Sequence, residues 1–182
     1  MSKFKELCDA YTQFRTELGE VRSDAFDFSS KLVFNYVNYL GVSSREDYRL
    51  IPLDREEKSN MNYSPAGATH LGDDGFWRLG FLLKVYIGPN THPQQHLIIK
   101  FKFCKDDSGA HLLAVEDLPA KTIVKDSNNP EQFKPVFDAL HARMVSIIDE
   151  QTQFIHGKVG NLPSIGFIQG DVKENINTPD KK

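Results

Sequence analysis

Three residues capable of acid–base chemistry stand together just ahead of the longest alternating apolar run: His70, Asp73 and Asp74, in the segment HLGDDGFW. Carboxylates and an imidazole at the entrance of a strand can hold a divalent cation or divide acid and base roles in a hydrolysis. A metal-dependent nuclease site of this type also wants a further acid and a lysine on neighbouring strands. Lys84, Lys100 and Lys102 offer the lysine, but the residues two places before them are Leu82, Ile98 and Lys100. The acid is missing there. A tight turn accounts for Gly72-Asp73-Asp74-Gly75 without any catalysis, because an Asp side chain bonds its own local backbone. A metal-dependent hydrolase or nuclease using this acidic loop, residues 70–75, is therefore the alternative expectation, with no metal or cofactor assigned.

His92 and His96 have the i, i+4 spacing of two zinc ligands on a helix, but Pro93 and the surrounding turn residues deny them that helix. His111, His141 and His156 stand alone. The sequence contains no GxxxxGK phosphate loop, no GxGxxG fingerprint, no GxSxG elbow and no CxxC pair, which removes the commonest nucleotide, hydrolase and structural-zinc signatures.

The remaining candidate is a surface. Arg78, Lys84 and Tyr86 on one alternating run, and His96, Lys100 and Lys102 on the next, fall on the polar faces of two strands. If those strands pair antiparallel, the six make a basic, aromatic-containing face suited to an acidic partner or, less readily, a single-stranded nucleic acid. Leu82 and Ile98 interrupt it, and lysines on an outer sheet face also discourage edge-to-edge aggregation.

The elements that must position these residues can be read from periodicity. In FWRLGFLLKVYI, Trp77, Leu79, Phe81, Leu83, Val85 and Ile87 alternate. In HLIIKFKFC, Leu97, Ile99, Phe101 and Phe103 do the same, and GPNTHPQQ between the runs is a turn signal. An antiparallel hairpin with one committed core face is expected. AHLLAVED follows as a third strand, and KTIVKD reads as a brief fourth strand or only a connection. DYRLIPL, residues 47–53, reads as a short strand that Pro52, lacking an amide donor, confines to an edge or a strand end. The stretch 54–75 shows no period and is expected to be a long loop without structure of its own.

Two N-terminal helices are expected. The first covers 3–18, with Phe4, Leu7, Cys8, Tyr11, Phe14 and Leu18 on a buried side and Gly19 as its left-handed cap; the second starts at Ser23-Asp24 and ends at Gly41. Near the other end, a short turn at 130–133 leads into a long helix from about Pro135 to Gly157. LPSIGFI reads as a terminal strand, and 171–182 as a flexible polar tail.

The chain has 182 residues, 40% hydrophobic and 26% charged, with thirteen Phe and a formal net charge of −3. That size suits one domain, here 1–170, and the charge disfavours binding driven by phosphate neutralisation. Cys8 and Cys104 lie in apolar-periodic segments and are expected to be buried, unpaired thiols. No apolar run suggests a signal peptide or a bilayer span, so a cytoplasmic protein with no membrane contact is expected. The fold class expected is α+β: two N-terminal helices, a central antiparallel sheet of four to five strands, and a long C-terminal helix packed on one sheet face. The function expected is a non-enzymatic intracellular binding or regulatory module recognising another macromolecule. A protein partner is favoured, nucleic acid less so, and homo-oligomerisation stays open.

Overall fold

The computed structural model describes residues 2–54, 61–88, 91–116 and 118–157. The chain is α+β. Helix α1 (Lys3–Leu40) leads into strand β1 (Tyr48–Ile51), a helical turn α2 (Pro65–Ala68) and a two-residue strand β2 (His70–Leu71). The hairpin β3 (Trp77–Tyr86) and β4 (Gln94–Lys105) follows, then β5 (His111–Val115) and β6 (Lys121–Val124). A 3₁₀ turn at Pro130–Gln132 precedes α3 (Lys134–Ile155).

All strands are antiparallel, in the order β1-β3-β4-β5-β6, with β2 beside β3. The β3–β4 register pairs Trp77 with Phe103, Leu79 with Phe101, Phe81 with Ile99 and Leu83 with Leu97. These are the side chains that alternation assigns to the core, and all eight are buried. Ile87, at the end of the same alternation, lies beyond the paired region and is exposed.

Two expectations fail. There is one N-terminal helix, not two. The apolar positions 4, 7, 11, 14, 18, 21, 25, 28 and 32 keep a single phase across Gly19. A mid-helix glycine costs only about 1 kcal/mol against alanine, too little to end a helix that continues so regularly on both sides. Ser23 and Asp24 consequently lie inside the helix. The true stop is Gly41, at φ 67°, whose N–H bonds back to the carbonyls of Val37 and Asn38. The loop expected at 54–75 also carries structure. Ser64 caps α2 by accepting the Gly67 N–H, and His70 and Leu71 add β2 against Arg78 and Trp77, giving six strands rather than four to five. The expected terminal strand and polar tail lie outside the described residues.

Helices α1, from Ala25 onward, and α3 cover the inner sheet face with one continuous core. Tyr36 is its centre, with ring centroids 4.9–5.2 Å from those of Phe81, Phe101 and Phe137. Its hydroxyl is buried and has no hydrogen-bond partner among the described residues. Burial, with Tyr39 nearby, pushes its ionisation far up, so this tyrosine serves as a neutral aromatic filler.

Candidate interaction surfaces

The structure does not bring His70, Asp73 and Asp74 together. His70 turns its Nδ1 toward Asp54, 3.7 Å from the carboxylate. Asp73 is exposed. Asp74 sits in a turn in which the Gly72 N–H bonds the Phe76 carbonyl and the Gly75 N–H bonds the Gly72 carbonyl. Desolvation, the largest single influence on Asp74, works against its ionisation. The Phe76 N–H and the Arg78 guanidinium, 2.9 Å away, outweigh it and hold the carboxyl below its usual range. These are the contacts of a turn that feeds β3. No group of three His, Cys, Asp or Glu side chains that could hold a metal ion occurs among the described residues. The geometry lends the hydrolase alternative no support.

The six residues of the basic face do share one sheet face. Arg78 is opposite Lys102, Lys84 is opposite His96, and Lys100 and Tyr86 occupy alternate positions of the same strands. Two of its cations are neutralised from within. Arg78 meets Asp74 and, at 3.6 Å, Glu116, which also lies 3.4 Å from Lys100. Lys102 stands 5.7 Å over the Phe76 ring. Beyond the Leu82–Ile98 pair, Lys84 and Tyr86 join Arg45 and Arg49 around a shallow depression of about 350 Å³. Glu46 and Asp47 line it too, and the Tyr86 hydroxyl donates to Asp47 at 2.7 Å. Mixed charge of this kind gives a weaker anionic-ligand signal than the sequence suggests.

The most conspicuous surface was read from sequence as a buried side. Residues 3–17 of α1 are all exposed, and the helix meets the core only from Ala25. Phe4 is 76% exposed, Leu7 70%, Tyr11 63%, Phe14 55% and Val21 54%. With half-buried Leu18 they form one narrow stripe at alternating steps of three and four, the a/d spacing of a coiled-coil seam. Cys8 is exposed beside this stripe, and Cys104 is only half-buried; both are unpaired. The expectation of buried thiols therefore fails, Cys8 because nothing among the described residues covers that part of the helix.

Where α1 reaches the body, the stripe runs into a cleft of about 540 Å³ whose walls include Val21, Leu71, Trp77 and Phe103. At its polar edge Asp24 accepts from Lys105 at 2.7 Å and faces His111 Nε2 at 3.0 Å, while the His111 ring stacks on Phe28 with centroids 4.1 Å apart. Sequence reasoning missed this trio. Its members are 81 and 87 residues from Asp24, and no local pattern signals the contact. Cys104 lines the same cleft. Its thiol is pushed up, first by burial and then by Asp106 and Asp74, the reverse of what a nucleophile needs.

The trio makes stability depend on pH with one sign. Burial tends to raise Asp24, but the bonds from Lys105 and His111 prevail and place its carboxyl below the ordinary 3.8. Its contribution is present above that value and is lost as pH falls through the lower, folded one. Burial depresses His111 below 6.5, only partly offset by Asp24. The unfolded chain therefore takes up this proton first, and stability drops as pH falls from about 6.5 toward the folded pKa. Thermal unfolding at pH 7 and pH 5 should show a lower midpoint at pH 5. The difference should shrink in His111→Gln, which has no imidazole to protonate.

No known protein family, curated protein or solved structure matches this chain.

Proposed function

We propose that this chain is a non-enzymatic binding module, that its ligand is a protein, and that the docking element is the exposed stripe on the first turns of α1. One observation carries the reading: Phe4, Leu7, Tyr11, Phe14 and Val21 each expose more than half of their surface on one helix face. A contiguous apolar patch of that size, kept in water, marks an interaction site. Its length, about 25 Å at 1.5 Å per residue, suits another helix laid along it.

The chemistry favours protein over the other macromolecules. Between Lys3 and Arg22 the helix carries four cations, Lys3, Lys5, Arg15 and Arg22, and four anions, Glu6, Asp9, Glu17 and Glu20. Helices that bind anionic membrane surfaces are rich in Lys and Arg on the polar face, and phosphate backbones demand net positive charge. A balanced helix satisfies neither.

A photo-crosslinking amino acid at Phe14, used in the cells that make the protein, tests this directly. A discrete protein adduct is expected from position 14 and none from Thr16, on the polar side. Absence of any protein adduct from position 14, or adducts with lipid only, would overturn the reading.

A further inference from the structure

Resting on that reading, we infer that the protein covering the stripe is a second copy of this chain, its α1 laid antiparallel against the first. The spacing is the first ground. Phe4, Tyr11 and Leu18 recur every seven residues, as do Leu7, Phe14 and Val21. A strict seven-residue repeat is the pattern of a helix that pairs with one similar helix, whereas a helix seated on a globular body shows a broader face.

The second ground is what lies past the end of the stripe. Ala25, Phe28 and Leu32 continue the same repeat, but their own sheet buries them. A partner helix on the stripe therefore approaches that sheet end-on. A parallel partner would have to drive its own residues 25–32, with its body attached, into the space this sheet fills. An antiparallel partner brings the Ser2-capped start of its helix there and carries its body away past the first copy's Phe4.

Antiparallel pairing also fits in register. Phe4 of one copy then lies opposite Val21 of the other, Leu7 opposite half-buried Leu18, and Tyr11 opposite Phe14, so every exposed residue of the stripe is used and none of the core residues from Ala25 onward is needed. The arrangement is self-complementary, as a twofold dimer requires. The partner's first turn ends at the cleft walled by Leu71 and Trp77, and Lys3 of one copy comes to the side of the seam occupied by Asp24 of the other. The flanking pairs Cys8–Arg15 and Ala10–Glu17 set no like charges against each other. At roughly 100 Å² for each of ten large exposed side chains, the two copies bury on the order of 1,000 Å², the lower bound of a specific interface.

Sedimentation of the purified full chain at tens of micromolar, together with disulfide trapping, decides the matter. Wild type is expected to sediment as a dimer, and Leu7→Glu with Phe14→Glu should weaken the dimer about a hundredfold or more by placing charges in the seam. In a Cys8→Ser, Cys104→Ala background, mixing Tyr11→Cys chains with Phe14→Cys chains under mild oxidation should give the mixed disulfide in preference to either homodisulfide. Homodisulfides formed by each variant on its own would overturn the antiparallel arrangement. A monomer at every concentration would overturn the second copy as occupant. The crosslinking from position 14 separates these failures from that of the wider reading, because an adduct with a different protein keeps protein binding and removes only self-pairing.

Discussion

Phe101→Ala is expected to destabilise the fold by about 3–5 kcal/mol, the range for removing a fully buried phenylalanine. For a chain of this size that lowers the thermal midpoint by roughly 10 °C. The site leaves little room for relaxation. Phe101 is 1% exposed and lies edge-on to Tyr36, whose ring Phe81 and Phe137 also approach within about 5 Å. It pairs with Leu79 on one side and Val115 on the other, in the middle of the sheet. A cavity there faces α1, α3 and three strands at once, so no single element can close it. Chemical denaturation at constant slope checks the value, and a loss below 1 kcal/mol would mean that the aromatic cluster is not the centre of the core.

Gly80→Ala is the second large effect. Gly80, inside β3, is paired with Ile51 of the edge strand β1, and a Cβ at that position would lie 2.5 Å from Ile51 Cγ1, 2.7 Å from the Ile51 carbonyl oxygen and 2.8 Å from Leu53 Cδ2. The backbone oxygen cannot swing aside as a side chain can. Strand β1 must move outward, at about 1–3 kcal/mol by analogy with overpacked cores. Hydrogen exchange should report the damage locally, with faster exchange in Tyr48–Ile51 than elsewhere in the sheet. Gly19→Ala provides the contrast, since a Cβ there meets nothing within 4 Å.

The two predictions mark what the sequence could reveal. Alternation placed Phe101 on the inner face because period two survives wherever one sheet face is buried, and the register of β3 against β4 follows from it. The helix stop at Gly41, the short turn ahead of α3 and the restriction of β1 to an edge or a strand end were legible for similar reasons, each resting on Pro or Gly backbone chemistry within a few residues. The role of Gly80 had no such signal, because the chain that presses on it lies some thirty residues earlier. Asp24 with His111 was hidden in the same way.

The N-terminal helix was misread for a different reason. Periodicity shows that Phe4, Leu7, Tyr11 and Phe14 share a face, but not that their own chain covers it. Apolar residues at helical spacing are assigned to the core by default, and here the core begins only at Ala25. The clue available was the narrowness of the stripe, two residues in seven, where a helix on a sheet commonly shows three. The basic face misled in the opposite direction. Counting Arg78, Lys100 and Lys102 from sequence overlooked Glu116 and Asp74, which the fold sets against Arg78 and Glu116 alone against Lys100.

If the stripe serves another molecule rather than this fold, charges placed on it should separate assembly from stability. The deciding measurement compares wild type with the Leu7→Glu, Phe14→Glu double variant, by the native mass of the complex from cells and by the unfolding midpoint of purified, dilute protein. The expected result is a smaller complex for the variant with a midpoint unchanged within about 2 °C, because substitutions at exposed sites seldom exceed ±0.5 kcal/mol. An unchanged mass, or a midpoint lowered by several degrees, would contradict it, the first showing that nothing docks on the stripe and the second that the stripe packs within its own chain.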